Sequence, residues 1–271
     1  MLESITPIVL TYNEAANIGR TLERLSWASD VVVIDSFSED ATLDIVASFP
    51  NARVFQRKFD CFANQWNYAL SEIGIKSEWV LALDADYLLT PELIEEIRNL
   101  AISESINGYS ANFRYCINGH LLRGSAYPPV TVLFRRQKAQ YRQDGHAYRV
   151  QVEGNVETLR SRILHDDRKP LGHWLRSQDK YMQLEKQKLL ELGWKNLGWA
   201  DRLRKLRVVA PFAMFFYCLF VRGAILDGRA GIYYSFQRLL AESLLSLYLF
   251  EALFEDKKTA ENKQAATVSI D

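Results

Sequence analysis

Little in this chain assigns it at a glance. Its three cysteines, Cys61, Cys116 and Cys218, have no metal-ligand spacing and lie in apolar surroundings, which points to buried thiols in a reducing compartment. Neither sign of charge dominates: Lys+Arg and Asp+Glu stand at 33 each, so no global field draws the protein to nucleic acid. Residues 5–20 contain no glycine-rich basic phosphate loop of the kind that opens a nucleotidyltransferase. No internal repeat is visible. Val208–Val221 is free of charge but falls short of the roughly 20 residues of a comfortable membrane span. The N-terminus runs straight into a strand, with no secretory leader, so the chain is expected to stay in the cytoplasm.

What is present is a globular composition, 48% hydrophobic and 24% charged over 271 residues, long enough for a substantial core. The first hundred residues alternate strand and helix patterns. Ile5–Leu10, Val31–Ile34, Arg53–Gln56 and Trp79–Leu83 read as strands; Glu14–Leu25, Ser38–Phe49, Ala63–Glu72 and Glu92–Ala101 read as helices. Asn13 is the expected N-cap of the first helix, and Pro91 a favoured first-turn residue of the last. Such alternation predicts a parallel α/β sheet with its site at the carboxyl ends of the strands. Thr11–Glu14, Asp35 and Asp84–Asp86 each directly follow a strand. From about 108 to 164 the pattern turns to short strands, Tyr109–Tyr115, Thr131–Phe134, Tyr148–Glu153 and Ser161–Leu164, and residues 173–192 form a long amphipathic helix.

Trp79–Leu83 ends in Asp84-Ala85-Asp86, two carboxylates one residue apart at a strand end. Hard oxygen ligands in that position suit Mg²⁺ or Mn²⁺ shared with substrate phosphates. Alone, Asp-x-Asp is more often a turn or a solvated strand end. Its company is Pro7-Ile8-Val9-Leu10-Thr11-Tyr12-Asn13-Glu14 and Val33-Ile34-Asp35-Ser36-Phe37-Ser38-Glu39-Asp40-Ala41-Thr42. With these three motifs in order, the chain resembles the family 2 glycosyltransferases of the GT-A fold. Within them it resembles the branch that includes lipopolysaccharide core β-glucosyltransferases. The resemblance covers residues 5 to about 100 closely and continues more loosely to about 235.

The resemblance implies a GT-A, Rossmann-like nucleotide-sugar-binding sheet over residues 1–170, with a nucleotide-binding half (1–100) and an acceptor half (101–170). A helical, membrane-associating region would follow over 171–256, then a disordered tail over 257–271. Thr11, Tyr12 and Glu14 would line the nucleotide pocket and Asp35 would accept from the base. Gln65 and Asn67 would lie near the nucleotide, although Trp66 stands where relatives commonly have Arg; surface polars on an amphipathic helix are the equal alternative. Asp84 and Asp86 would hold the divalent metal and diphosphate, with His165 beside them. Inverting transfer needs a general base. Asp144, in Gln143-Asp144-Gly145-His146, is the first candidate, against Glu153, Asp166 and the plain reading of Asp144-Gly145 as a hairpin turn. Arg135 and Arg136 could meet phosphate or an anionic acceptor, or be solvated strand ends.

Trp194–Arg207 carries Lys195, Arg202, Arg204, Lys205 and Arg207 against one Asp201, just before the uncharged Val208–Val221. Basic residues and tryptophans beside an apolar stretch suit an anionic membrane surface, with Pro211 expected to kink the segment. A buried helix or dimer contact is the plainer alternative. The expected activity is an inverting, Mg²⁺- or Mn²⁺-dependent transfer from a nucleotide-sugar, UDP-linked, to a lipopolysaccharide-core, glycolipid or other saccharide acceptor. It would take place peripherally on the inner face of the cell membrane. A polyprenyl-phosphate acceptor and a catalytically silent nucleotide-sugar-binding module are the alternatives.

Overall fold

The computed structural model describes residues 1–101, 103–144 and 147–268, without the side chains of 143, 144, 147, 148 and 256–268. Two compact units follow one another, Met1–Pro170 and Leu171–Asp271.

The first unit is built on a nine-stranded sheet. Its first half contains β1 (Ile5–Thr11), β2 (Val31–Asp35), β3 (Ala52–Gln56) and β4 (Trp79–Asp84), with helices α1 (Ile18–Glu23), α2 (Thr42–Ala47) and α3 (Phe62–Ser71) between them. These four strands are mutually parallel, in the order β3-β2-β1-β4. Every residue of β1 and β2 is buried, as expected of parallel strands covered on both faces. Residue parity divides them. Val9, Val31 and Val33 pack with α1 residues Ile18 and Leu22, whereas Ile8, Leu10, Val32 and Ile34 pack with Trp66 and Leu70 of α3.

The second half adds β5 (Tyr87–Leu89), α4 (Pro91–Arg98), β6 (Ile106–Ile117), β7 (His120–Leu121), β8 (Val130–Arg135) and β11 (Asn155–His165). Strand order continues β4-β8-β6-β11-β5, with β7 paired to β6. β8 runs antiparallel to β4 and β6, so the sheet is mixed. β9 (Ala139–Asp144) and β10 (Ala147–Val152) form a separate antiparallel ribbon. β5, β7 and β9 have no counterpart in the sequence pattern; they are short or lack an apolar face that would announce them.

The first two helices are shorter than their periodicity suggests. The amides of Asn17 and Ile18 both donate to the Glu14 carbonyl, closing a turn before α1 starts. Asn13 is not its cap: it stands at φ 53, and its side-chain oxygen accepts from the Glu39 amide at 2.8 Å. Before α2, Asp40 accepts from the amides of Ala15 (3.1 Å) and Thr42 (3.0 Å), diverting the backbone from helix. The last helix of this half starts as expected, with the Thr90 hydroxyl accepting from the Leu93 amide and Pro91 at the first turn.

The second unit is helical: α5 (Leu171–Glu191), α6 (Trp199–Lys205), α7 (Val209–Phe216) and α8 (Gly228–Val268). The buried residues of α5 recur three to four apart, from Trp174 and Gln178 through Met182 and Glu185 to Leu189. Met182 and Leu189 pack on Leu245 and Leu249 of α8. α8 is continuous to Val268, where a disordered tail was the expectation; its last residues are rich in Ala, Lys and Gln, strong helix formers. Pro211 does not kink α7, because it lies in the first turn, where no amide is needed. The bend is later: Val209–Val221 and Ala224–Glu255 meet at 68°, around Gly223 at φ 77. Gly231 is required beside this bend, since a Cβ there would fall 1.7 Å from the Ala224 carbonyl oxygen.

The basic stretch does not face outward as a block. Arg204 forks onto Glu242, with contacts down to 2.6 Å, and lies 3.4 Å from Asp201. Lys205 donates to the Leu192 carbonyl at 2.9 Å, Arg202 to that of Trp194 at 3.2 Å and Arg207 to that of Leu249 at 3.4 Å. Among the described residues no single helix is long and apolar enough to cross a membrane. α7 and the turn after it nevertheless leave Val209, Phe212, Phe216 and Phe220 exposed.

Candidate functional site at the carboxyl edge of the sheet

The parallel register sets Thr11 opposite Asp35, and Leu10 opposite Asp84, at one edge of the sheet. The loops after β1 and β2 are clamped together there. The Asn13 amide donates to Ser38 Oγ at 2.8 Å and the Glu14 amide to Thr42 Oγ1 at 2.8 Å. Asp35 is fully buried, and its carboxylate accepts from the Thr11 hydroxyl (3.1 Å), the Ser38 amide (2.9 Å), the Ser38 hydroxyl (2.5 Å) and Gln56 Nε2 (3.2 Å). Those four donors use both oxygens, so Asp35 braces the loop and presents no open lone pair to a base. Tyr12, the next residue after β1, is half exposed.

Asp84 ends β4, half-buried. Beyond it the backbone is pinned twice, by the Thr21 hydroxyl on the Ala85 carbonyl (2.6 Å) and by the Asp166 amide on the Asp86 carbonyl (3.0 Å). The pinned Asp86 side chain meets His165: Nε2 to Oδ2 is 3.1 Å. His165 reaches it because β11 pairs with β5 and β6, which set Tyr87 and Tyr115 on either side of the imidazole. The rings of Tyr115, Tyr127 and Tyr87 lie 4.6, 4.8 and 5.2 Å from it, and Tyr87 and Tyr127 join their hydroxyls at 2.5 Å. Burial alone would push the imidazole down; the Asp86 carboxylate, with Asp84 and Asp167, outweighs it and holds the group above its ordinary value. Burial likewise opposes the Asp86 charge, but His165 and then Lys169 keep that carboxyl below its usual range.

Asp86 Oδ1 is buried and has no hydrogen-bond partner, as has His165 Nδ1. An ionised carboxylate oxygen left bare inside a protein is costly unless something cationic meets it, which fits a divalent metal. No group of three His, Cys, Asp or Glu side chains among the described residues closes around one point. Asp84, Asp86 and His165 therefore do not form a finished cage, and a cation held there would complete its oxygen shell from substrate phosphates.

A second set of residues borders this pair. In it Glu14, expected at the nucleotide pocket, is joined by Asn17, Asp167 and Lys169, which the sequence did not single out. Asn17 is fully buried and uses its whole amide: Nδ2 donates to Glu14 (2.8 Å) and Asp167 (2.9 Å), and Oδ1 accepts from Arg20 (2.8 Å) and the Arg168 amide (2.9 Å). Lys169 pairs with Glu14, and Glu14, Asp167 and Asp86 keep the ammonium charged in spite of burial. Burial pushes the Glu14 carboxyl up to about 7 against the pull of Lys169, with Asp86 adding to the rise. Partners 150 residues apart leave no mark in one sequence; the one available signal was the charged run Asp166–Lys169 directly after a strand.

Several expected residues fall elsewhere. Asn67 is consumed by β9, its amide exchanging hydrogen bonds with the Tyr141 backbone at 3.0 and 2.9 Å. Gln65 stays at the carboxyl edge but is buried, accepting from Arg57 (2.6 Å) and donating to the hydroxyl of Ser36 (3.0 Å), the residue after Asp35. Trp66 is a core residue stacked on Tyr141 at 5.2 Å. Arg135 stands opposite Trp79, the first residue of β4, because β8 is antiparallel; Arg136 there donates to the Leu70 carbonyl, so both are at the far edge from Asp84. Asp166 accepts from Arg20 (2.7 Å), Arg168 (2.8 Å) and the Gly119 amide (3.0 Å), and Glu153 is an exposed partner of Lys138. Neither is placed as a base. Asp144 ends β9 opposite Ala147, and its side chain lies outside the described residues.

The comparisons with known proteins agree with this geometry. An uncharacterized glycosyltransferase of Rickettsia bellii is 33% identical over 112 residues, 41% of this chain. The chain spans 37% of that relative's length. The lipopolysaccharide core biosynthesis glycosyltransferase LpsC of Rhizobium meliloti is 27% identical over 203 residues, 70% of this chain and 73% of LpsC. In fold, the chain is similar to residues 1–349 of S. aureus TarS, solved in complex with UDP-GlcNAc, with a TM-score of 0.50 at 14% identity over 92% of each chain. This GT-A-like mixed sheet carries its Asp-x-Asp pair at the carboxyl edge, and the pattern of Glycosyl transferase family 2 matches residues 6–161: the chain belongs to that family.

Proposed function

We propose that this chain is an inverting glycosyltransferase that moves a sugar from a UDP-linked donor to a saccharide or glycolipid acceptor of the lipopolysaccharide-core class, at the cytoplasmic face of a membrane. The observation that carries the reading is the buried Asp86 carboxylate at the carboxyl edge, joined to His165 through one oxygen and bare at the other. A divalent metal on Asp86 and Asp84 would supply Lewis-acid stabilisation to the departing nucleoside diphosphate. The chain's own residues do the rest. His165 and Lys169 hold Asp86 ionised, and Asp35 and Asn13 fix the loops that frame the donor. Asp144 takes the proton of the acceptor hydroxyl as its oxygen bonds the anomeric carbon and the carbon–phosphate-oxygen bond breaks. LpsC, similar over most of its length, supports the acceptor class. The exposed aromatic face of α7 supports the membrane location.

Calorimetric titration with UDP, GDP and CDP, each with and without Mn²⁺, tests this on wild type and Asp86→Ala. Metal-dependent UDP binding that is lost in the variant is expected. Binding that ignores both the metal and Asp86 sinks the donor site and the mechanism built on it.

A further inference from the structure

β11 pairs with β5 and β6 as far as His165, and the chain then leaves the sheet. The start of α1 takes over from there. Asn17, Arg20 and Thr21 lie three and four apart, so they share one face of a helix whose Ile18 and Leu22 fill the core. Asn17 and Thr21 are fully buried, and buried polar groups are costly unless they are hydrogen-bonded. All three reach beyond their own helix. The Thr21 hydroxyl donates to the Ala85 carbonyl at 2.6 Å. Arg20 donates to the Asp166 carboxylate at 2.7 Å and to the Asp166 carbonyl at 2.8 Å. Asn17 accepts from the Arg168 amide and donates to Asp167, both at 2.9 Å. Asp166 is thereby tied twice through its backbone, by its carbonyl to Arg20 and by its amide to the Asp86 carbonyl at 3.0 Å. One helix face therefore grips the chain on both sides of the Asp86–His165 contact.

That contact leaves Asp86 Oδ1 and His165 Nδ1 buried and without partners. Free to relax, a carboxylate with a bare buried oxygen would turn towards a donor. The gripped backbone on either side keeps it where it stands. We propose that Asn17 and Arg20 are positioning residues for the cation site: they hold His165 against Asp86 Oδ2 and so leave Oδ1 open to a divalent metal. This rests on the donor-site reading above. Neither residue would touch the ion; each acts through the Asp166–Arg168 segment, as partners behind a metal ligand do.

The test titrates Mn²⁺ into the full chain with saturating UDP, read by the EPR signal of free Mn²⁺, beside the melting temperature. Arg20→Gln and Asn17→Ala should each weaken Mn²⁺ binding roughly 10- to 100-fold. The double variant should lose little more than the larger single loss, because both residues act through one segment. Asn67→Ala, which frees β9 elsewhere in the fold, should lower the melting temperature yet leave Mn²⁺ affinity within twofold. In the metal-free protein the Asp166 amide should exchange with solvent faster in Arg20→Gln and Asn17→Ala than in Asn67→Ala. The Arg20 side chain is 30% exposed, so Arg20→Gln carries the test should Asn17→Ala not fold. Mn²⁺ affinity within twofold of wild type in Arg20→Gln, an equal loss in Asn67→Ala, or unchanged Asp166 exchange would each overturn the proposal. A wild type whose Mn²⁺ and UDP binding needs Asp86 keeps the donor site standing in that event. A wild type that binds neither fells both.

Discussion

His165 Nε2 lies 3.1 Å from Asp86 Oδ2, a contact between residues 79 apart that joins the end of β11 to the turn after β4. Each group holds the other in its charged form against burial. In Asp86→Asn the carboxylate is gone and burial prevails. The imidazole should then titrate below the ordinary histidine value rather than above it, in the metal-free protein followed by NMR of the ring protons. An unchanged titration would mean that other charges hold His165.

Asp166 fixes the segment behind that pair. Burial alone would raise its carboxyl; Arg168, the Gly119 amide and Arg20 hold it below the ordinary value of 3.8. A depressed carboxyl contributes stability above its unfolded value and loses it as pH falls through the folded one. Asp166→Asn should therefore cost about 2–3 kcal/mol at neutral pH, with the gap to wild type narrowing below about pH 4. Urea unfolding at both pH values reads this directly.

Asn67 latches β9 to α3 through both halves of its amide. Asn67→Ala should lower stability by about 1–3 kcal/mol and leave UDP affinity within twofold. A large loss of affinity at unchanged stability would return Asn67 to the nucleotide pocket.

Arg204 is the hub of the second unit, set among Glu242, Asp201 and Glu185. Arg204→Met leaves buried carboxylates without their cation, at about 3–5 kcal/mol. Arg204→Met with Glu242→Leu removes the worst of them and should be the more stable variant in thermal unfolding. If the single variant is as stable as wild type, the fork is ornamental.

α7 and the turn after it expose three aromatic side chains, Phe212, Phe216 and Phe220. Replacing all three by Ser should abolish co-sedimentation with phosphatidylglycerol vesicles while the melting temperature stays near that of wild type. Equal binding by wild type and variant would assign the face to something other than lipid.

The β1, β2 and β4 strands and the Asp-x-Asp pair were legible in the sequence, because a buried parallel strand must be apolar throughout and must stop where the carboxylates begin. Family membership followed from the same three strand ends. Length and neighbours misled where side chains had competing partners: Asp40 shortened α2, and Asn67 and Gln65 were polar for the sake of β9 and of Arg57. The basic run before α7 looked like a lipid-facing patch, yet most of it turns onto carbonyls and Glu242, as long cationic side chains can when acceptors are within reach.

By itself, then, the sequence determined the order of strands and helices, the hard-ligand carboxylates and the place of the sheet edge that carries them, since these depend on local pattern and on parallel topology. Tertiary structure alone decided that His165 meets Asp86, that Asn17 ties Glu14 to Asp167, and that Asp35 spends its acceptors on Thr11, Ser38 and Gln56. Those contacts join residues far apart in the chain, and hydrogen-bond geometry selects among many polar side chains only after the backbone has brought a few of them within 3 Å.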